Sequence, residues 1–259
     1  RIVNLGDDED LIHLSQLTHL NLLRNQLETL PSNIGYLRNL ICLELANNRL
    51  VELPLEFGYL SALNRINLEC NKLSCLPETL GQMKCELINL NSNMLTSLPN
   101  CIGDMPNLKI LCVCDNQLSC LPAKIGNSKT LEVIHASKNE ITELPYTFVY
   151  LSSLECLWLD FNVKMSALPF NFHFLTKLKE LKMEGNVDMV LPTTDTLLKG
   201  PEEVLRWSER RLGASQFARA QNILLTVQDV LKQVGKYKIG GLNGMPSHHS
   251  LYEQNVSQD

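Results

Sequence analysis

Two thiols set one residue apart, Cys112-x-Cys114, are the pair in this chain best placed to do chemistry. In an extended segment residues i and i+2 share a face, so both thiols point the same way. His135 follows Cys112 by 23 residues and falls beside it if segments stack at that period. Three soft ligands in such a place could hold zinc. Structural zinc sites, however, use thiols two to four residues apart and a fourth ligand. The obvious fourth candidate, Cys156, would lie two strands from Cys112. The Cys112–His135 pair also has the makings of a nucleophile and base, yet no acid is placed to orient the histidine and no cleft is implied. The sequence contains no P-loop, no G-x-G-x-x-G after a strand, no H-E-x-x-H and no EF-hand loop. These residues point to a protein that is not an enzyme, with no cofactor and no metal.

What must position these residues is a repeat. Asparagines recur at Asn25, Asn48, Asn71, Asn93, Asn116, Asn139, Asn162 and Asn186, with gaps of 23, 23, 22, 23, 23, 23 and 24 residues. Prolines keep the same cadence at Pro31, Pro54, Pro77, Pro99, Pro122, Pro145, Pro169 and Pro192. The stretch 40–60, LICLELANNRLVELPLEFGYL, carries the full L-x-x-L-x-L-x-x-N-x-L template. Eight units in phase with this template predict a leucine-rich-repeat solenoid of class α/β, a horseshoe with a parallel concave β-sheet and a largely irregular convex side. Alternating leucines such as Leu43 and Leu45 have period 2 and read as short strands with one buried face. Each Asn stands where the chain leaves the strand; its amide can bond backbone groups of its own coil and the next. Apolar pairs such as Ile34 with Leu37 and Phe57 with Leu60 close the interior, and stability comes from neighbour stacking. The fourth unit loses a residue around 83–86 and the seventh gains one between Asn162 and Leu168, both read as convex-side adjustments that keep strand register.

Four segments follow from this pattern: 1–16, an N-terminal cap or truncated repeat; 17–198, the array of eight repeats; 199–234, a C-terminal helical cap; and 235–259, an irregular tail. Pro201 with acidic neighbours suits the first turn of a helix over 199–212. A second helix is expected over about 215–234, where Phe217, Ala220, Leu224, Val227, Leu231 and Val234 form one stripe. These helices shield the last coil or dock on a second partner, as could the tail, in which Asn255-Val-Ser257 matches a glycosylation acceptor by chance and His248 and His249 are solvated. Lys232, Lys236 and Lys238 make only a weak lipid-surface or calmodulin-target signal.

Composition sets the bounds. The chain has 259 residues, 44% apolar and 20% charged, as globular proteins do. A net charge of −5 gives no electrostatic footprint for nucleic acid, and no apolar run is long enough to span a membrane. The opening RIVNLGDDED starts on Arg and reads as a fragment rather than a signal peptide. Nine cysteines, an odd number scattered over the repeats, suit a reducing compartment, so a cytoplasmic, cytoskeletal or ciliary location is expected.

Counting back six, four and two residues from each Asn gives the solvent-facing strand positions. The first half of that surface is polar and acidic, whereas the middle turns apolar. The residues expected to bind a partner are Ile110, Cys112, Cys114, Val133, His135, Trp158, Asp160, Phe161 and Glu184, with Leu87 and Cys156 in the same patch. An exposed Trp among small apolar groups has the makeup of an interface hot spot. The bland alternative is that Trp158 packs on its neighbours, Phe161 included, and binds nothing.

The repeat form LxxLxLxxNxLxxLPxxIGxLxx, over residues 14–212, resembles intracellular Ras-associated scaffolds, Ras-suppressor-type proteins and plant Ras-group-related repeat proteins. TLLKGPEEVLRW is similar to the cap that often follows such arrays. The resemblance implies a non-catalytic protein–protein interaction module of signalling, cytoskeletal or ciliary assemblies. A scaffold gripping a protein partner on its concave face is the leading expectation. The alternatives are a structural subunit clamped by the tail and a regulatory domain of a larger signalling protein.

Overall fold

The computed structural model describes residue 2 and residues 11–211. The expected second helix and the tail 235–259 lie outside the described residues, as does most of the segment 1–16. The array and the helical stretch after it fall in one unit, residues 1–212.

Eight three-residue strands form one sheet in strict sequence order: β1 (His19–Asn21), β2 (Cys42–Glu44), β3 (Arg65–Asn67), β4 (Leu87–Asn89), β5 (Ile110–Cys112), β6 (Val133–His135), β7 (Cys156–Trp158) and β8 (Glu180–Lys182). Every neighbouring pair is parallel and in register, so repeat-equivalent residues stand side by side. The short fourth and long seventh units leave this register intact: Arg65 pairs Leu87, and Cys156 pairs Glu180. The middle residue of each strand from β2 to β7 points into the core, where Leu43, Ile66, Ile88, Leu111, Ile134 and Leu157 are buried. The closing apolar residues Ile34, Leu37, Phe57 and Leu60 are fully buried as well. In the short unit Cys85 takes the place of a strand-entry leucine, and its Sγ donates to the Asn64 and Leu87 carbonyls at 3.0 Å.

The asparagines form a ladder, in which each amide reaches its own coil and the preceding one rather than the following one. Asn116 Nδ2 donates to Leu90 O, Val113 O and Cys114 O, while its Oδ1 accepts from Leu95 N. Asn48, Asn71, Asn93 and Asn139 repeat the pattern. The reason is geometric. The residue just before each Asn turns the chain with positive φ, 53–57° at Arg24, Asn47, Cys70, Ser92, Asp115, Lys138 and Phe161. That turn aims its backbone N–H forward, as Lys138 N to Asp160 O shows, and throws the Asn side chain back.

The convex return is more ordered than an irregular chain. Five-residue 3-10 turns follow Pro31, Pro54, Pro77, Pro99, Pro122 and Pro145. They pack so closely that a Cβ on Gly103 would meet the Lys124 carbonyl, and one on Gly126 the Thr147 carbonyl. Beside the lengthened unit this column gives way to Val149 and His173.

After β8 the chain forms α1 (Thr194–Leu198) and then a helical stretch over 201–211. Helix formation thus begins at Thr194, ahead of the boundary at 199 that the sequence suggests. Pro201 does open the second stretch, as expected. Val204 and Ser208 of this stretch are fully buried. Ser208 Oγ donates to Phe170 O at 2.7 Å and accepts from His173 N at 3.3 Å, so the stretch closes over the convex end of the last coils.

Candidate functional site

Strict register converts three positions per repeat into three rows running across the sheet. One row reads Leu87, Ile110, Val133 and Cys156 across β4–β7; its neighbour reads Asn89, Cys112, His135 and Trp158. All eight side chains are half-buried. Ile110, Val133, Cys112 and His135 therefore do form one patch, as their spacing predicts. Cys114, also half-buried, borders it just past β5, where its backbone N–H donates to Asn91 Oδ1 at 2.7 Å.

Trp158 departs from the expected exposed position. It is half-buried, with the His135 ring edge-on at a centroid distance of 4.7 Å and the Lys182 ammonium 4.1 Å from its ring centre. Neighbours on β6 and β8 thus hold the indole from both sides, and the cation–π contact on one side adds attraction. The indole N–H is buried without an acceptor at hydrogen-bond distance among the described residues. The Lys182 ammonium, hydrogen-bonded to the nearby Glu180 carboxylate, holds that carboxyl below its ordinary range.

Phe161 does not pack against Trp158 as a neighbour in the patch. Its backbone takes the left-handed turn and its ring, 52% exposed, lies against Gly185, whose missing Cβ leaves the room. Asp160 is tied into the frame: Oδ1 accepts from Glu184 N at 2.9 Å and Oδ2 from Ser137 Oγ at 3.2 Å. Glu184 is exposed at the rim. Phe161 and Glu184 therefore flank the patch, while Asp160 braces it.

The electrostatics of the patch favour neutral groups. Burial pushes the Cys112 and Cys114 thiols above their ordinary range, and the same cause pushes His135 down against the opposing pull of Asp160. Protonated thiols are poor nucleophiles and poor metal ligands. Among the described residues no group of three or more His, Cys, Asp or Glu is arranged to hold a metal ion. Elsewhere Cys85 is pushed to about 12 by burial, and Cys101 to about 11 by burial with the Glu78 carboxylate adding. Both are structural thiols. A separate open hollow of about 420 Å³ lies at the sheet's end, between β8 and α1, lined by Leu181, Met183, Thr194 and Leu197.

An open parallel sheet of short strands, an asparagine ladder and a convex face of 3-10 turns define a repeat solenoid with a long inner surface. Comparison with known proteins agrees. A family model described as a leucine-rich repeat region matches residues 97–191, and the fold is that of a leucine-rich-repeat solenoid. A leucine-rich-repeat protein of Leptospira interrogans is similar in structure with a TM-score of 0.65 and 34% identity, over 70% of this chain and 46% of that one. The chain thus spans about half the length of that relative. The leucine-rich-repeat domain of the type III effector XopL gives a TM-score of 0.64 and 25% identity, over 76% of this chain and 70% of that one. The ectodomain of the receptor kinase GASSHO1/SCHENGEN3 from Arabidopsis thaliana, in complex with CASPARIAN STRIP INTEGRITY FACTOR 2, gives 0.58 and 30%, over 70% and 23%. No curated protein matches the sequence. No helix among the described residues is long and apolar enough to cross a membrane.

Sequence reasoning missed two contributors. Lys182 lies over the Trp158 ring, and Glu180 pairs with Lys182. The signal was present, since Lys182 follows Trp158 in the same row at one repeat's distance.

Proposed function

We propose that this protein is a non-catalytic interaction module that grips a protein partner on its concave face. The observation that carries the reading is the pair of in-register rows over β4–β7, with Leu87, Ile110 and Val133 side by side and Cys112, His135 and Trp158 along them. Contiguous apolar surface on an open sheet is costly to leave in water, and a central aromatic inside a charged surround is the usual composition of a binding hot spot. The Arabidopsis ectodomain, similar over 70% of this chain, is described in complex with a protein factor, which supports the same use of the fold here. The patch residues are Ile110, Cys112, Cys114, Val133, His135 and Trp158, with Phe161 and Glu184 as the rim and Asp160 as their brace.

The scaffold role in a reducing compartment is the finer part of the proposal. It is supported by nine free thiols scattered along the array, two of them buried in the core. The test is recovery of a partner by the wild type and by an Ile110→Asp/Val133→Asp variant, with folding of both checked by circular dichroism. The expected outcome is loss of the partner by the folded variant. Equal recovery by a folded variant overturns the reading.

A further inference from the structure

The concave patch has a spacing and a charge pattern that narrow its occupant, and this inference rests on the reading just given. Parallel strands stand about 4.8 Å apart, so the four positions Leu87, Ile110, Val133 and Cys156 span roughly 14 Å across three gaps. An α-helix laid along that row presents side chains i, i+3, i+7 and i+10 over about 15 Å. An extended segment presents i, i+2, i+4 and i+6 over about 20 Å, and its side chains fall out of step with the coils after the second. The row is thus commensurate with a helix and incommensurate with a strand.

Charge distinguishes among helices. On one side of the rows stand Glu69, Asp115 and Asp160, and on the other stands Glu132; none of these carboxylates makes an ion pair among the described residues. Glu69 accepts from Asn89 Nδ2 at 3.1 Å and Asp160 from Ser137 Oγ, so both are held at the border of the patch as oriented acceptors. Lys109 and Lys179 beyond the first row are already paired with Glu86 and Glu155, at 3.1 and 2.9 Å. The opposing cations are Lys138 at this rim, Arg65 beside Leu87 on β3, and Lys182 beside Trp158, which is paired with Glu180. The neutral thiols and the depressed His135 add no positive charge to the floor.

We infer that the concave patch over β4–β7 binds an amphipathic α-helix of a protein partner, with an apolar stripe of at least eleven residues and basic side chains along its flanks. The apolar stripe lies on Leu87, Ile110, Val133 and Cys156. The flanking bases meet Glu69 and Asp160 on one side and Glu132 on the other.

The test uses the full chain and three fluorescent designed peptides of equal length. One is a helix with Leu at i, i+3, i+7 and i+10 and Lys on both flanks; the second replaces the Lys by Glu; the third keeps the first composition but is broken by two prolines. Anisotropy titrations at low and high salt are expected to rank the Lys-flanked helix at least roughly tenfold tighter than either of the others, with the advantage over the Glu-flanked peptide shrinking in high salt. Glu69→Gln/Glu132→Gln should remove most of that advantage, and Val133→Asp should abolish binding. Equal binding of the Lys- and Glu-flanked helices, or tighter binding of the broken peptide, overturns the inference. If the partner of the previous section is still lost with Ile110→Asp/Val133→Asp while the peptides show no ranking, the helix inference falls and the concave-face reading stands. If that variant loses neither peptide nor partner, both fall.

Discussion

The residue just before each repeat asparagine is the most strained recurring position in the protein. Seven of these are non-glycine residues at φ 53–57°, a region that costs an L-residue roughly 1–2 kcal/mol. The strain persists because the turn aligns two sets of bonds, the forward N–H to the next coil and the backward amide of the Asn. Replacing Lys138, which is exposed at this turn, by Gly relieves the strain and should stabilise the protein by up to about 1 kcal/mol in urea titrations. Asn116→Ala has the opposite sign. It orphans the Leu95 N–H and takes one of two amide donors from the Leu90 and Val113 carbonyls, which keep Asn93 and Asn139, and should cost roughly 1–3 kcal/mol in the same measurement. His135 supplies a pH dependence. Its folded-state pKa lies below the ordinary histidine value of about 6.5, so its contribution is complete above that pH and is lost as pH falls through the folded value. Stability should therefore drop between pH 7.5 and 5.5 by more in the wild type than in His135→Gln, read as the shift in urea midpoint at the two pH values.

At the scale of elements, three-residue strands and five-residue turns have little stability of their own and take it from stacking. At the C-terminal end the 201–211 stretch places Val204 and Ser208 over the convex side, where His173 has replaced the glycine of earlier coils. Ser208 satisfies the Phe170 carbonyl and the His173 N–H at once. Ser208→Ala removes only the hydroxyl, strands both groups, and should lower stability by about 1–3 kcal/mol, measured by thermal or urea unfolding. Ser208→Thr, which retains the hydroxyl, should recover part of that loss. The helix over 201–211 was legible in KGPEEVLRW through Pro201 and its acidic neighbours, whereas α1 ahead of it was not. Thr194–Leu198 is only five residues long and has no periodic signal to find.

For the whole array, contacts run only between neighbouring coils, so local stability should follow position. Hydrogen exchange is expected to be slowest for the amides of β3–β6 and faster for those of β1 and β8, which among the described residues have a neighbour on one side of the sheet only. Uniform protection from β1 to β8 would show a single cooperative unit instead. The chain's own letters determined the solenoid, its eight-coil register and the identity of the concave rows, because leucine at period 2 and asparagine at period 23 are demanded by burial and by unpaired backbone wherever the coils stack. Nothing in Arg24, Cys70, Asp115 or Phe161 announces a left-handed turn, since the requirement is imposed by the neighbouring coil and only Gly185 carries a residue that shows it. The same holds for the site. Cys112, Cys114 and His135 were visible as a cluster, but their neutrality comes from burial, which is a property of the assembled sheet. Trp158 was visible as an aromatic on the right face; that it is held between His135 and Lys182 rather than standing in solvent was decided only when strands 23 and 24 residues apart came side by side.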